Sequence, residues 1–153
     1  MGSPVFRMMP LSVCVSVIVV CLILSAGCSS PPADTGGKPQ PPGILVQYQR
    51  TGGIAGFNDQ MVVFENGQVV YSRNTGSGTF TLTEDSLGEL EELLEAADFP
   101  SLAPDYPAEN PGADYFFYVI TYDGTTVTAE TGGEPPELIP VIMRLDTLLA
   151  EHS

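Results

Sequence analysis

The sequence predicts an α+β domain over residues 43–153, with a largely antiparallel sheet of about five to six strands and two helices packed on one face. Two observations predict this class. The dipeptides Asn66-Gly67 and Asp123-Gly124, which are typical of β-hairpin turns, each join runs rich in β-branched and aromatic residues. A leucine-rich segment with helical spacing follows each group of strands. The order strands, helix, strands, helix is typical of an α+β domain.

The strands are predicted from runs of β-branched and aromatic residues that are bounded by turn residues. Asn66-Gly67 favours the positive φ angles of a two-residue type I′ turn, and Asp123-Gly124 is a second turn of this kind. The segment 115–122 is the most apolar of these runs, which predicts that it lies in the centre of the sheet. The predicted strands cover residues 44–50, 61–65, 68–72, 80–83, 115–122 and 125–130.

Both helices are predicted from apolar residues that repeat at helical spacing. Thr83 is placed to cap the first helix, and Glu84 and Asp85 add negative charge to its first turn. Two prolines at residues 135 and 136 introduce the second helix, and Pro140 lies within its first turns, where a missing N–H costs least. The apolar positions are Leu87, Leu90, Leu93, Leu94 and Ala97 in the first helix, and Leu138, Val141, Ile142, Leu145, Leu148 and Leu149 in the second.

Residues 11–26 form an apolar segment that is followed closely by Cys28. As a helix these 16 residues would reach about 24 Å, less than the ~30 Å hydrocarbon core of a bilayer, which favours a secretory signal. The sequence Leu-Ser-Ala-Gly-Cys at residues 24–28 resembles the lipobox of prokaryotic lipoproteins. This resemblance implies cleavage after Gly27, a lipid on Cys28, and a protein anchored in the cell membrane or envelope that faces the extracytoplasmic side. An uncleaved anchor and an ordinary signal peptide are the alternatives.

The chain is therefore divided into three parts. Residues 1–27 are the predicted signal, residues 28–42 begin with the lipidated cysteine and continue as a Pro/Gly-rich linker, and residues 43–153 are the single folded domain. All three cysteines precede the domain, so an exported domain would have no disulfide, and Cys28 would have no partner in the mature chain.

The charge of the chain limits its partners. The formal net charge is −14, and all 19 acidic residues follow the predicted signal. Such a surface repels phosphate backbones and anionic lipid head groups, so we expect no nucleic acid partner. Such a surface would attract a basic protein or divalent cations. The alternative is that the charge only keeps the domain soluble.

The domain lacks the residues of the common catalytic and metal sites. His152 is the only histidine and the domain has no cysteine, which argues against nucleophilic catalysis and against a zinc site. The sequence places no pair of carboxylates across a cleft. We therefore expect a protein that is not an enzyme and that needs no cofactor and no metal. A calcium-responsive surface domain stays open as an alternative, because hard oxygen ligands cluster at Asp98, Asp105, Glu109 and Asp114, although their spacing matches no EF-hand loop.

A glycine-rich turn follows the first predicted strand and reads Arg-Thr-Gly-Gly-Ile-Ala-Gly at residues 50–56. It resembles the R-x-G-G-x-A-G opening of emfourin-like proteins, which are small inhibitors of thermolysin-type metalloproteases. The later order of the chain is also similar. An acidic helix closes in Ala-Asp-Phe at residues 97–99, Asp-Tyr at 114–115 opens a strand, and Pro-x-x-Leu at 135–138 introduces the last helix. The type protein of that family is short and soluble and has no lipobox, so a tethered form departs from it.

This resemblance implies a membrane-tethered, non-enzymatic binding domain that inhibits secreted metalloproteases. An exposed glycine turn suits this role, because it allows a close approach of the backbone to a partner. One alternative is that the glycines only supply a tight turn and Arg50 only pairs with an acidic neighbour. Another is a surface module that binds a different envelope protein. The candidate partner-binding residues are Arg50, Gly52, Gly53, Ile54, Ala55, Gly56 and Phe57.

Overall fold

The computed structural model describes residues 40–110 and 112–152. The predicted signal at residues 1–27, Cys28 and most of the predicted linker at 28–42 lie outside the described residues. From Gln40 onward the chain forms one compact unit, so the described part contains the predicted domain. In the ranges that the structure describes, no helix is long and apolar enough to cross a membrane.

The domain has the predicted α+β class, but its sheet has seven strands rather than five to six, in the order β4-β3-β2-β1-β6-β7-β5. The strand that the sequence did not predict is β5, which has two residues and pairs parallel with β7. All other pairings are antiparallel. The strands are β1 (Ile44–Gly52), β2 (Phe57–Phe64), β3 (Gln68–Arg73), β4 (Gly76–Thr81), β5 (Asp105–Tyr106), β6 (Phe116–Tyr122) and β7 (Thr125–Glu130).

The middle of the sheet is β1, and the most apolar strand, β6, lies beside it, so the prediction that this apolar run is central was wrong by one position. β6 is still an interior strand, because it pairs with β1 on one side and with β7 on the other. Only the pairing order makes β1 central, because β1 pairs with β2 on one side and with β6 on the other.

The two predicted hairpin turns differ in type. Asp123 and Gly124 both have positive φ angles, of 46° and 75°, as a two-residue type I′ turn requires. In the other hairpin only Gly67 has a positive φ angle, of 79°, and its N–H donates to the carbonyl of Phe64. The type I′ prediction for Asn66-Gly67 was therefore wrong. The connection has three residues and ends in a left-handed glycine, a common alternative for hairpins.

The two predicted helices are α1 (Glu84–Ala96) and α2 (Ile139–Glu151). The predicted cap is confirmed, since the hydroxyl of Thr83 accepts a hydrogen bond from the backbone N–H of Ser86. Pro140 lies in the first turn of α2, as predicted. A short 3-10 helix, Phe99–Ser101, follows α1.

One hydrophobic cluster holds the domain together, and it contains buried side chains from the sheet and from both helices. Burial alternates along the strands, so Val46 and Tyr48 are buried in β1 while Gln47 between them is exposed. The largest fully buried side chains are Phe99, Met61, Leu90, Leu94, Ile120, Leu138, Leu145, Leu148 and Leu149. Burying such a side chain contributes ~1.5–3 kcal/mol, so this cluster stabilises a domain whose described residues include no cysteine.

Candidate functional site

The candidate site is the loop of residues 53–56, which joins β1 to β2 at one end of the sheet. The loop closes on itself, because the N–H of Gly56 donates to the carbonyl of Gly53 at 3.0 Å. Gly52, just before the loop, has a φ angle of 107°, and a Cβ atom there would collide with the backbone carbonyl oxygen of Tyr115. Only glycine fits this position without a shift of the backbone.

Neighbouring segments hold the loop on two sides. On one side, the N–H of Gly53 donates to the carbonyl of Tyr115 at 2.9 Å, and the N–H of Ile54 donates to Oδ1 of Asp114 at 3.2 Å. On the other side, Nδ2 of Asn74, in the β3–β4 turn, donates to the carbonyl of Gly56 at 2.7 Å. The backbone of the loop is therefore fixed before any partner arrives.

The tip of this loop presents an apolar side chain to solvent. Ile54 is 82% exposed, the highest value among the exposed large hydrophobic residues of the described domain. Ala55 and Gly56 are also exposed, while Gly52 and Gly53 are half-buried. A Cβ at Gly53 would lie 2.9 Å from the Phe116 ring, so a substitution there would disturb the fold as well as the surface. A substitution at Ile54 would therefore change the surface of the loop without disturbing the fold.

Arg50, also predicted as a partner contact, points instead into the domain beneath the loop. Its side chain is 14% exposed and forms ion pairs with Asp59 at 2.5 Å and with Asp146 of α2 at 2.8 Å. Oδ1 of Asp146 also accepts a hydrogen bond from the hydroxyl of Tyr48 at 2.6 Å. The pairing of Arg50 with acidic neighbours, which was one of the alternatives, is therefore present, and Arg50 joins the sheet to α2.

Two aromatic rings enclose the guanidinium of Arg50. Its Cζ atom lies 5.3 Å from the centre of the Phe57 ring and 5.0 Å from that of Phe116, within the range of cation–π attraction. Burial alone would lower the pKa of Arg50, but the hydrogen bond to Asp59 and the negative charge of Asp146 raise it above its ordinary value. Phe57, another candidate contact, is half-buried in this arrangement and supports the loop from below.

Asp59, the acidic centre of this network, was not predicted from the sequence. Asp59 is 1% exposed, the one buried polar residue of the described domain, and its second oxygen accepts from Nε of Arg73 at 3.2 Å. Arg73 also donates to the backbone carbonyl of Leu149 in α2 at 3.3 Å. One signal could have found Asp59. It alternates with Met61 and Val63 in β2, so a carboxylate occupies a position where the strand pattern requires a core residue.

Burial also changes the ionisation of the tyrosine in this network. Desolvation, followed by the charge of Asp146 and the hydrogen bond to it, raises the pKa of the Tyr48 hydroxyl well above its ordinary range. Tyr48 therefore stays protonated and donates to Asp146 at any physiological pH. The network links β1, β2, β3 and α2 beneath the loop and is a scaffold for it.

The depressions beside the loop are small. One, lined in part by Ala55, Phe57 and Asn74, encloses about 180 Å³, and another, lined in part by Gly52 and Tyr115, about 220 Å³. Small-molecule sites usually enclose ~300–1,000 Å³. The two depressions that flank the loop are thus smaller than a usual small-molecule site.

The acidic segment 98–114 does not gather its carboxylates. Asp98 accepts from the hydroxyl of Ser101, Asp105 from that of Thr128, and Asp114 from the loop backbone. Over residues 40–110 and 112–152, no group of three or more His, Cys, Asp or Glu side chains is placed to hold a metal ion. No contact among the described residues of this segment favours the calcium-responsive alternative.

No protein-family model and no curated protein matches this chain. The resemblances to the lipobox and to emfourin-like proteins therefore stay predictions from the sequence.

Proposed function

We propose that this chain is a lipid-anchored extracytoplasmic protein without enzymatic activity, which binds and inhibits a thermolysin-type metalloprotease through the loop 53–56. One observation carries the binding part of this proposal. Ile54 is 82% exposed on a loop whose backbone is held by Tyr115, Asp114 and Asn74. The choice of a metalloprotease as the partner depends on the resemblance of residues 50–56 to emfourin-like proteins.

The rigidity of the loop supports a role in binding. Ordering a flexible loop on association costs free energy, and a loop that is already held in its bound shape avoids this cost. The glycines on either side of Ile54 leave the backbone open to close approach by a partner surface. The loop itself has no titratable side chain, so it offers a protease no group that takes part in chemistry.

The place where the chain enters the domain supports the proposed anchoring. The carbonyl of Gly43, just before β1, accepts from the N–H of Glu65, at the end of β1 opposite to the loop. β1 has nine residues, and the eight steps of ~3.3 Å between them separate its two ends by about 26 Å. A tether that continues from residue 40 toward a lipid on Cys28 would therefore hold the domain by the end away from Ile54.

The arrangement of the helices supports the same view of the domain. We infer that α1 and α2 cover the same face of the sheet, because the buried strand residues lie at alternate positions and share one cluster with the buried residues of both helices. Asp146 of α2 reaches Arg50 from that face. Through Asp146, α2 then supports the loop from beneath and leaves its tip free.

The test is a titration of residues 40–153, which contain every strand, helix and core residue described above, against thermolysin with a small peptide substrate. We expect loss of activity near an equimolar ratio. Ile54→Asp should raise the inhibition constant at least ~30-fold, because burying an isoleucine contributes ~1.5–3 kcal/mol and a carboxylate adds a desolvation cost. The matched control is Ile44→Asp, which makes the same change at a residue that is 51% exposed at the other end of β1.

The outcomes separate the parts of the proposal. Full protease activity at a large excess of the wild-type domain would exclude the metalloprotease as partner and leave another envelope protein as the ligand of the loop. Equal inhibition by wild type and Ile54→Asp would exclude the loop as the contact. Far-UV circular dichroism of both variants checks that neither result comes from unfolding.

A further inference from the structure

The two edges of the sheet are protected to very different degrees. At one edge, β5 has only two residues, one of them the charged Asp105, and Pro104 and Pro107 flank it. Short strands, charges and prolines are the usual devices that prevent a sheet edge from pairing with another chain. At the other edge, β4 (Gly76–Thr81) has six residues and contains neither a proline nor a charge.

The hydrogen bonds of the β3–β4 hairpin show which backbone groups of β4 have no partner among residues 40–110 and 112–152. The N–H of Leu82 donates to the carbonyl of Gly67, the residue directly opposite, at 2.9 Å. Antiparallel strands exchange hydrogen bonds at alternate pairs, so Phe80 and Gly78 also bond to β3. Ser77, Thr79 and Thr81 then direct their N–H and C=O groups away from the sheet. All three are exposed.

We propose that β4 pairs antiparallel with β4 of a second copy of this chain, centred on Thr79. In this register Thr79 lies opposite Thr79 of the second copy, Ser77 opposite Thr81, and Gly78 opposite Phe80. Each outward residue thus meets another outward residue, and each pair exchanges two hydrogen bonds. The pairing is the same from both sides, as a two-fold interface requires.

The side chains fit this register as well as the backbone does. Ser/Thr pairs directly across antiparallel strands are favourable. On the other face, the ring of Phe80 already stacks on His152 with ring centres 3.7 Å apart and Tyr71 lies over Gly78, so the side-chain fit depends on the Ser/Thr pairs. This self-complementary pattern is the reason to assign a second copy, rather than an unrelated strand, to the edge.

The charge distribution allows this contact and limits its strength. Two copies with a formal net charge of −14 each repel one another, but β4 itself brings no charge into the interface. Pairing one strand buries a small area, so we expect a weak dimer that depends on concentration. Added salt should tighten it, because salt screens the repulsion between the two acidic domains.

The test is sedimentation velocity on residues 40–153 over a range of concentrations, with Thr79→Pro as the variant. Proline removes the N–H of residue 79, which points away from β3, so the β3–β4 pairing keeps its own hydrogen bonds. We expect a reversible dimer whose Kd rises at least about tenfold in Thr79→Pro. Thr79→Val is the matched control. It keeps the N–H and a β-branched side chain and loses only the hydroxyl, so it should dimerise much more tightly than Thr79→Pro.

Amide hydrogen exchange locates the contact independently. The amides of Ser77, Thr79 and Thr81 should exchange more slowly as the protein concentration rises. A wild-type domain that stays monomeric up to about 1 mM in high salt would overturn the proposal, and so would a dimer that Thr79→Pro leaves intact. If the proline variant fails to fold, Thr79→Lys keeps the N–H but places like charges opposite each other, and it too should dissociate the dimer.

Discussion

Replacing Asp59 by asparagine should destabilise the whole domain, although the new side chain has nearly the same shape. Asp59 is 1% exposed and pairs with Arg50 at 2.5 Å and with Arg73 at 3.2 Å. Removal of one partner from a fully buried ion pair costs ~3–5 kcal/mol. The two arginine side chains are 14% and 17% exposed, and Arg50 keeps Asp146, so solvent and the remaining partner reduce this cost. We expect a loss of about 2–3 kcal/mol.

Urea unfolding followed by far-UV circular dichroism measures this loss, since the chain has no tryptophan. For a domain of about this size, 1 kcal/mol corresponds to ~4 °C in Tm, so we also expect Tm to fall by about 8–12 °C. The control is Asp123→Asn, which makes the same change of charge at an exposed turn residue that asparagine also tolerates. This control should stay within ~0.5 kcal/mol of wild type. Equal stability of Asp59→Asn and Asp123→Asn would refute the assignment of Asp59 as the centre of a network that holds the fold.

Two further predictions concern the same end of the sheet. Gly52→Ala should lower the free energy of unfolding by at least ~2 kcal/mol, because its Cβ would collide with the carbonyl of Tyr115, whereas Gly56→Ala, with open space around it, should cost about 1 kcal/mol. Equal urea midpoints for the two variants would contradict this reasoning. The contribution of Tyr48 to the free energy of unfolding should also be fully present below pH 10 and be lost above it. The reason is that burial raises the pKa of Tyr48 in the folded domain, so the unfolded chain, with an ordinary value of 10.0, loses this proton first. Above pH 10, Tyr48 should lower the free energy of unfolding by up to ~1.4 kcal/mol per pH unit. Urea midpoints measured from pH 8 to 11 should therefore decline less steeply in Tyr48→Phe than in the wild type. Identical declines would exclude this role of Tyr48.

Local rules predicted much of the fold. The cap at Thr83, the first-turn proline of α2 and the turn at Asp123-Gly124 each depend on residues close together in the chain, and the structure confirms all three. β5 was missed because it has no local signal. Its two residues form a strand only because Thr128 of β7 lies alongside, and Thr128 donates its N–H to the carbonyl of Pro104.

The same division applies to the candidate site. The glycine turn was recognisable because its conformation is specified by the residues that form it. The ion-pair network beneath the loop was not recognisable in the sequence, because it joins Arg50 and Asp59 to Asp146 in the last helix. From the sequence, a buried arginine is expected to pair with a carboxylate. The packing of α2 against the sheet determines which carboxylate that is. Arg50 was therefore predicted as a candidate partner contact, whereas in the structure it pairs with Asp59 and Asp146 beneath the loop.

The hydrogen bond between the loop and Asp114 has a consequence for folding. Ile54 and Asp114 are 60 residues apart in the chain, so the loop acquires this contact only after β6 has paired with β1. A copy whose second half has not yet folded lacks this contact and does not present a finished loop. If the loop binds a partner as proposed, binding requires that both halves of the domain have folded, and by linkage a bound partner would raise the stability of the entire domain rather than that of the loop alone.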